Sequence, residues 1–387
     1  MTRTLELPVG DGTTMRWSPT RDPLPVPTRG SISSRRAFAA THVVADPQRE
    51  PGPGGVFPID WDSTLGFRRH IWSLGLGVAE AMDTAQRGMG LDWETSEELI
   101  RRTASEAAAV GGLTVYGANT DQLAPNEAAG ISEITDAYRE QMSVIEDVGG
   151  TAVLMASRHL ARSAGSADDY LEVYGSVVKE AARPVLIHWL GEMFDPELRG
   201  YWGSVDTWQA METVVQLITA HSDRIEGVKV SLLDMELELE LRGLLPEGVR
   251  LYTGDDLNFA ELILGDESGH SDALLGVFDP IATAASVALH ALDEGDVPRY
   301  QEVLEPAVPF SRHLFGPPTM HYKTGVVFLA YLNGHQDHFR MVAGAERDRS
   351  LPHLCRLAVL ADEARILQDP DLAVSRMRQL LALAGAE

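Results

Sequence analysis

RIEGVKVSLLD, residues 224–234, decides how the chain is read. Val228, Val230 and Leu232 give residues 228–232 an apolar, partly β-branched frame, as in a strand buried on both faces of a sheet. Lys229 stands inside that run. Lysine is among the residues least often buried, because an ammonium loses its hydration when taken out of water. In one reading the lysine lies at the strand end and its stem carries the charge to solvent. In the other, desolvation lowers its pKa, and the neutral amine becomes a nucleophile towards carbonyl carbon.

On either side of this stretch, strand-like and helix-like segments alternate. The strand candidates are RAFAATHVV from Arg36, GVAEAM from Gly77, LTVYG from Leu113, TAVLMA from Thr151 and PVLIHWLG from Pro184. The lysine strand, RLYTGDD from Arg250 and ALLGVFD from Ala273 complete the set. Between them lie helical patterns. Asp60 caps one, with Leu65, Phe67, His70 and Ile71 behind it. SEELIRRTASEAAAVGG is capped by Thr95 or Ser96 and closed by glycine. Ser132 begins another, with Ile134, Tyr138, Met142 and Ile145 on one face. Residues 168–182 form the next, and Asp206 caps a longer one. MELELELRGLL follows the lysine strand. Strands alternating with helices imply a parallel sheet, and eight such units imply a closed (β/α)8 TIM barrel rather than an open doubly wound sheet.

The expected organisation is an N-terminal arm over residues 1–35, the barrel over 36–305 and a C-terminal helical region over 306–387. The arm is rich in proline, with SPTRDPLPVPTRG at its centre, and reads as extended with a hairpin at its start. In oligomeric enzymes such an arm often lies on a neighbour, so a homo-oligomer is expected.

Acidic residues outnumber basic ones by 57 to 32, a net charge of −25. That argues against a nucleic-acid or anionic-membrane partner, since both need a basic footprint. Cys355 is the single cysteine, so there is no intrachain disulfide and no CxxC metal site. The N-terminus shows no apolar signal core, and no run reaches the length of a membrane span. A cytoplasmic protein acting on a small molecule is expected.

In a barrel of this kind the chemistry comes from the carboxyl ends of the strands. Those ends carry His42, then Asp83 and Thr84, Asn119 and Thr120, Met155, His188 and Trp189. Lys229 and Ser231 follow, then Thr253, Asp255 and Asp256, and last Phe278 and Asp279. Lys229 with His188 from the preceding strand is a nucleophile with an acid/base partner. Asp255 and Asp256, together with Asp83, Glu80 and His188, could instead hold a divalent cation for an isomerase or hydrolase. His335 and His338, in GHQDHF, have an i,i+3 spacing but no third ligand, so a structural role is preferred. No glycine cluster forms a phosphate or dinucleotide fingerprint.

The chain resembles the dihydrodipicolinate synthase/N-acetylneuraminate lyase family of class I aldolases. RIEGVKVSLLD looks like that family's sixth strand, where a lysine forms a Schiff base with the ketone of pyruvate. VRLYTGDD looks like the seventh strand and its Gly-Asp-Asp turn, and ALLGVFDPIA like the eighth. Within the superfamily it is most similar to a dihydrodipicolinate-synthase-like group of unknown function. The shared hallmarks are AMDTAQRGMGLDW, HWLGEMFDP, YTGDD and YKTGVVFLAYLNGHQDHF.

Three departures bear on substrate. Where the family has Gly-Thr-Thr-Gly-Glu, this chain has MDTAQRG, which retains only Thr84. Where the family has tyrosine and asparagine on its fifth strand, this chain has His188 and Trp189. The arginine that holds an amino-acid carboxylate in the synthase branch is missing from LGEMFDPE. The resemblance therefore implies a Schiff-base lyase acting on a keto or 2-oxo acid, without cofactor or metal, that does not make dihydrodipicolinate. Lys229 and His188 are the expected catalytic pair. Asp83, Thr84, Asn119, Met155, Trp189, Ser231, Asp255 and Phe278 are the expected substrate-binding residues. A metal-dependent isomerase or hydrolase and a silent metabolite-binding relative are the alternatives.

Overall fold

The computed structural model describes residues 3–27, 31–125 and 129–386; the arm's residues 28–30 lie outside the described set. In chain order the elements are β1 (Leu5–Pro8), β2 (Thr14–Trp17), β3 (Ala37–Ala40), α1 (Trp61–Ser73), β4 (Gly77–Glu80), α2 (Trp93–Val110) and β5 (Thr114–Ala118). Then come α3 (Ile131–Asp147), β6 (Thr151–Leu154), α4 (Arg158–Ser163), α5 (Ala167–Glu180), β7 (Val185–Leu190), α6 (Thr207–Ala220) and β8 (Ile225–Ser231). They are followed by α7 (Met235–Leu244), β9 (Arg250–Thr253), α8 (Phe259–Leu264), β10 (Asp272–Leu275) and α9 (Ala282–Asp293). The chain ends with α10 (Val297–Leu304), α11 (Ala307–Leu314), α12 (Tyr322–Leu332), α13 (Leu351–Glu363) and α14 (Pro370–Leu383).

The chain divides into two compact units. One comprises residues 35–40 and 77–276, the other residues 1–34, 41–76 and 277–387. The first holds all eight strands of a closed parallel barrel, in the order β10-β3-β4-β5-β6-β7-β8-β9. This is the architecture expected from the alternation, because a parallel strand needs a crossover before the next can pair with it. Its interior is filled by one residue in two along each strand, among them Phe38, Ala79, Val115, Val153, Leu186, Tyr252 and Leu274.

Helix starts in this unit follow local capping chemistry. Asp206 accepts from the N–H of Trp208 at 2.9 Å, and Asp234 accepts from that of Leu237 at 3.1 Å. Each such cap contributes about 1 kcal/mol. The start of α2 differs from expectation: Asp92, not Thr95 or Ser96, is the cap, and its carboxylate accepts from Thr95 N at 2.9 Å. Two capping residues compete within one turn, and the carboxylate three residues upstream captures the free amide. A short helix, α4, also appears where none was expected, capped by Ser157, which accepts from Leu160 N at 3.1 Å.

The other unit holds the arm and the C-terminal helices. β1 and β2 form an antiparallel hairpin. Beyond it the arm is tied to its own chain: Thr20 N donates to Asp362 at 2.9 Å, and Leu24 N donates to Arg365 O at 3.2 Å. Every residue of α12 is buried, which accounts for the apolar run in YKTGVVFLAYL. No helix among the described residues is long and apolar enough to cross a membrane.

Candidate active site

Strand register assigns each side chain near the lysine to a face. His188 pairs with Lys229 across β7 and β8, and Lys229 pairs with Tyr252 across β8 and β9. Residues paired across neighbouring strands share a face. Tyr252 belongs to the interior core, so Lys229 and His188 also face the barrel interior. Ser231 and Leu190, two residues further on, do the same. Trp189 and Val230, one residue off, face outwards. The sequence-based placement of Trp189 in the substrate site is thus corrected: it lines a separate hollow with Gly191, Met193 and Tyr201.

Lys229 does not reach out to solvent; it is 6% exposed. Burial lowers its pKa to about 8, while the charges of Asp256 and, less strongly, Asp83 oppose that shift. At neutral pH roughly one lysine in ten is then the free amine, against fewer than about one in a thousand for an ordinary lysine. Gly254 leaves room for this arrangement. A Cβ there would lie 2.2 Å from Ser231 Oγ and 2.9 Å from Lys229 Cε.

His188 behaves differently from expectation. Its Nε2 is 3.2 Å from Ser231 Oγ, and its Nδ1 is buried with no partner. Burial, and then the charge of Lys229, drive its pKa well below the usual imidazole value. A histidine titrating near neutrality is therefore replaced by one that stays neutral. A cation beside a dry imidazole makes a second positive charge too costly.

A cavity of about 300 Å³ is lined by Asp83, Asn119, Thr120, Met155, Arg158 and Phe194 among others, and neither Lys229 nor His188 is on its wall. It lies where β4, β5, β6 and β7 end, the side on which barrel enzymes carry their chemistry. Three of the expected binding residues, Asp83, Asn119 and Met155, come together on its wall. Thr84 is buried beside Asp83 in a one-turn 3-10 helix. Phe278 follows β10 in the other unit and is buried there. Asp255 spends its carboxylate on its own turn, accepting from Leu257 N at 2.9 Å, Asn258 N at 3.0 Å and Asn258 Nδ2 at 2.8 Å. Its neighbour Asp256 is the carboxylate that acts on Lys229.

The cavity walls are held from behind. Tyr138 OH donates to Met155 O at 2.5 Å, and Ser157 N donates to Tyr201 OH at 2.9 Å. These two bonds fix the backbone on both sides of Ala156. Arg87 is buried and grips Asp121 through Nε at 2.9 Å and Nη2 at 2.7 Å, with Nη1 donating to Gly117 O at 2.7 Å. It also donates to Gln141 and, at 3.3 Å, to Ala81 O. Ala81 has φ 53°, a left-handed conformation costly for a residue with a Cβ, immediately before the Met82-Asp83 turn. The hallmark AMDTAQRGMGLDW is thus the segment that places Asp83. The sequence reading passed over Arg87 and Arg158, because nothing in their local pattern separates an inward arginine from a surface one.

Among the described residues no group of three or more His, Cys, Asp or Glu side chains is arranged to hold a metal ion. His335 and His338 lie beyond α12 rather than on it, and His338 Nδ1 accepts from Arg340 N at 3.1 Å.

Comparison with known proteins places the chain in a family whose function has not been assigned. It belongs to the family described as protein of unknown function (DUF993), whose model matches residues 5–386. No curated protein matches it. Among solved structures it is similar to dihydrodipicolinate synthase from Bacillus clausii, with 17% identity, 85% of this chain and 97% of that chain covered, and a TM-score of 0.62. The synthase from Aquifex aeolicus gives 14% identity, coverage of 91% and 98%, and a TM-score of 0.59. YagE, a prophage protein of the dihydrodipicolinic acid synthase family from E. coli K12 solved in complex with pyruvate, gives 11% identity, coverage of 91% and 99%, and a TM-score of 0.64. At these identities the likeness establishes the fold alone, a closed (β/α)8 barrel.

Proposed function

We propose that the protein is a Schiff-base-forming lyase of the class I aldolase type, acting on a keto or 2-oxo acid. The observation that carries this reading is Lys229: interior, near the carboxyl end of its strand, buried, and brought to about 8 between Asp256 and Asp83. The pyruvate complex of YagE, on the same fold, supports it by analogy.

The neutral amine of Lys229 attacks the carbonyl carbon and a C–N bond forms. The former carbonyl oxygen takes up two protons, one from the nitrogen and one from an acid, and leaves as water. The resulting iminium accepts the electron pair of the C–C bond that breaks, which becomes an enamine. A hydroxyl on the departing fragment gives up its proton as that fragment becomes a carbonyl compound. Asp83, on the cavity wall, is the carboxylate placed to take and return that proton. His188 remains neutral and holds Ser231. Protonation of the enamine and hydrolysis by water then restore Lys229. The homo-oligomer expected from the arm is carried in this reading as a separate proposal, read out by light scattering.

The test is covalent trapping. A 2-oxo acid substrate with borohydride should leave a permanent mass increase on the peptide containing Lys229. Activity abolished by a chelator, with no adduct formed, would transfer the reading to the metal-dependent alternative.

A further inference from the structure

The segment GHQDHF, residues 334–339, is not used by the lysine chemistry. Beyond α12 it forms part of the wall of an open groove of about 920 Å³, whose lining residues all belong to the helical unit. Half-buried Phe57 and Phe339, with Leu351 and Leu380, give the groove an apolar lining. Leu383, 88% exposed, continues that lining to the surface. Tyr331 stacks on Phe339, with ring centroids 6.3 Å apart and planes within 19°.

Most polar groups of the groove are already satisfied. Arg340 Nη1 donates to Glu346 Oε1 at 2.7 Å, and Glu346 Oε2 accepts from Met341 N at 3.1 Å. Asp337 pairs with Arg376 at 3.0 Å. Tyr331 OH donates to Gln379 Oε1 at 3.0 Å. Arg349 spends Nη1 and Nη2 on the carbonyls of Pro317, Gly316 and Pro318, although its Nε is buried with no partner. Arg347 is the exception. It is exposed, and among the described residues it has no hydrogen-bond or ion-pair partner. Its guanidinium folds back over Gly344, where a Cβ would lie 3.5 Å from Nη2 and 3.6 Å from Cζ. Gly344 and Ala343 are both left-handed, with φ 69° and 58°, and for alanine that conformation is costly. A strained turn thus returns the unpaired cation to the groove wall.

We propose that this groove is a binding site for a monocarboxylic acid with an apolar acyl chain, its carboxylate on Arg347 and its chain along Phe339, Leu380 and Leu383. The charges of the Arg340–Glu346 and Arg376–Asp337 pairs cancel, which leaves Arg347 as the groove's surplus cation on a chain of net charge −25. What the groove offers a ligand is therefore one anion partner and a long apolar surface. A sugar or a nucleotide needs many hydrogen-bonding partners, and these side chains have spent theirs on one another. A planar guanidinium matches a carboxylate, and a dianion would be penalised by Asp337 and Glu346 nearby. The volume lies at the upper end of the range for small-molecule sites. This site is independent of the Schiff-base reading, since no residue of the barrel unit lines it.

The experiment titrates the full chain with octanoate, 1-octanol and acetate at neutral pH and reads binding by calorimetry. Octanoate carries both features, and each of the others carries one. Octanoate should bind saturably and about tenfold or more tighter than either, the scale of one charge-assisted pair and of a buried chain. Arg347→Met should bring octanoate to within about twofold of octanol. Leu383→Ser should weaken octanoate about threefold or more. Both side chains are exposed, so neither change threatens the fold, and thermal unfolding checks this. Lys229→Ala should bind octanoate as the unaltered protein does. The proposal is overturned by an absence of saturable octanoate binding, by equal affinity for octanol, or by affinity that survives both Arg347→Met and Leu383→Ser. Loss of octanoate binding in Lys229→Ala would also overturn it, by moving the ligand to the barrel.

Discussion

The two compact units each bury a cluster of titratable side chains, and the clusters are built to opposite ends. In the barrel unit, Lys229 is buried within the field of Asp256 and Asp83, and the unit opens a cavity of about 300 Å³ with Asp83 on its wall. In the other unit, His42 donates through Nδ1 to Asp279 Oδ2 at 2.7 Å, and both are buried. Phe67 packs on His42, and His70 lies against His335 with ring centroids 4.6 Å apart and the planes tilted by 42°. The hollow there is only about 10 Å³. Burial acts on both clusters. What differs is the charge that surrounds the group and the size of the hollow that each cluster reaches. Opposite charges hold the lysine near its working range, whereas crowded rings and a neighbouring imidazole push His335 to about 3. A buried titratable group thus points to chemistry only when countercharge and open space accompany it.

The largest effect that would break this comparison is at Lys229 itself. Lys229→Ala should remove the trapped adduct and lower turnover by several orders of magnitude while the barrel stays folded. Lys229→Arg should be equally inactive, because a guanidinium is never neutral in a protein. Near-normal turnover in Lys229→Ala would end the Schiff-base reading.

The next test concerns a buried acid behind the barrel wall. Glu238, on α7, accepts from Thr253 Oγ1 at 3.0 Å and from Ser271 Oγ at 2.8 Å, and burial raises its pKa to about 8. Thr253 Oγ1 in turn accepts from Asp255 N at 3.1 Å, so the acid braces the turn that carries Asp256. The unfolded chain loses this proton near the ordinary glutamate value, and the folded chain keeps it to about 8. Stability contributed here is therefore complete below the ordinary value and falls as pH rises towards 8, by roughly 5 kcal/mol in all. Glu238→Gln, neutral at every pH, should flatten that loss in chemical denaturation between pH 5 and 8. An unchanged slope would show that Glu238 is not the group responsible.

His335 gives the mirror image in the helical unit. Its pKa is lowered in the folded state, so its contribution is present above the ordinary imidazole value and is lost as pH falls towards 3. His335→Phe keeps a ring against Phe67 and His70. It should retain a higher melting temperature than the unaltered protein at pH 4 to 5 and a similar one at pH 8. Identical acid sensitivity in the variant would move the cause to another histidine.

Much of this contrast could be read from sequence. Hydrophobic periodicity and the count of eight alternating units placed every barrel strand, since a strand buried on both faces has few other compositions. The lysine stood out because it broke such a run. Three kinds of fact were not legible. Which of two adjacent aspartates faces the lysine depends on turn geometry, and Asp255 and Asp256 are chemically identical in a string. The facing of Trp189 follows from register, and a tryptophan suits either side of a barrel wall. The neutrality of His188 comes first from its burial and then from the charge of Lys229 on the neighbouring strand, neither of which shows in a string.

The smallest expected effect is also the most direct measure of the barrel cluster. Asp256 and Asp83 each favour the ammonium form of Lys229, with Asp256 the stronger. Removing either charge leaves desolvation less opposed. Asp256→Asn should therefore lower the lysine's pKa by about one unit, and Asp83→Asn by less, since losing an opposite charge at close range shifts a pKa by about one unit or more. At pH 6 to 7 a larger share of the lysine is then neutral. The rate of adduct formation with a 2-oxo acid and cyanoborohydride, plotted against pH, should move towards acid in Asp256→Asn. Asp83→Asn complicates any turnover measurement because it also removes the proposed proton carrier, so the trapping rate is the readout to use. A shift towards alkaline pH in Asp256→Asn would mean that this carboxylate does not face the amine, and the lysine's lowered pKa would then have to come from burial unopposed by it.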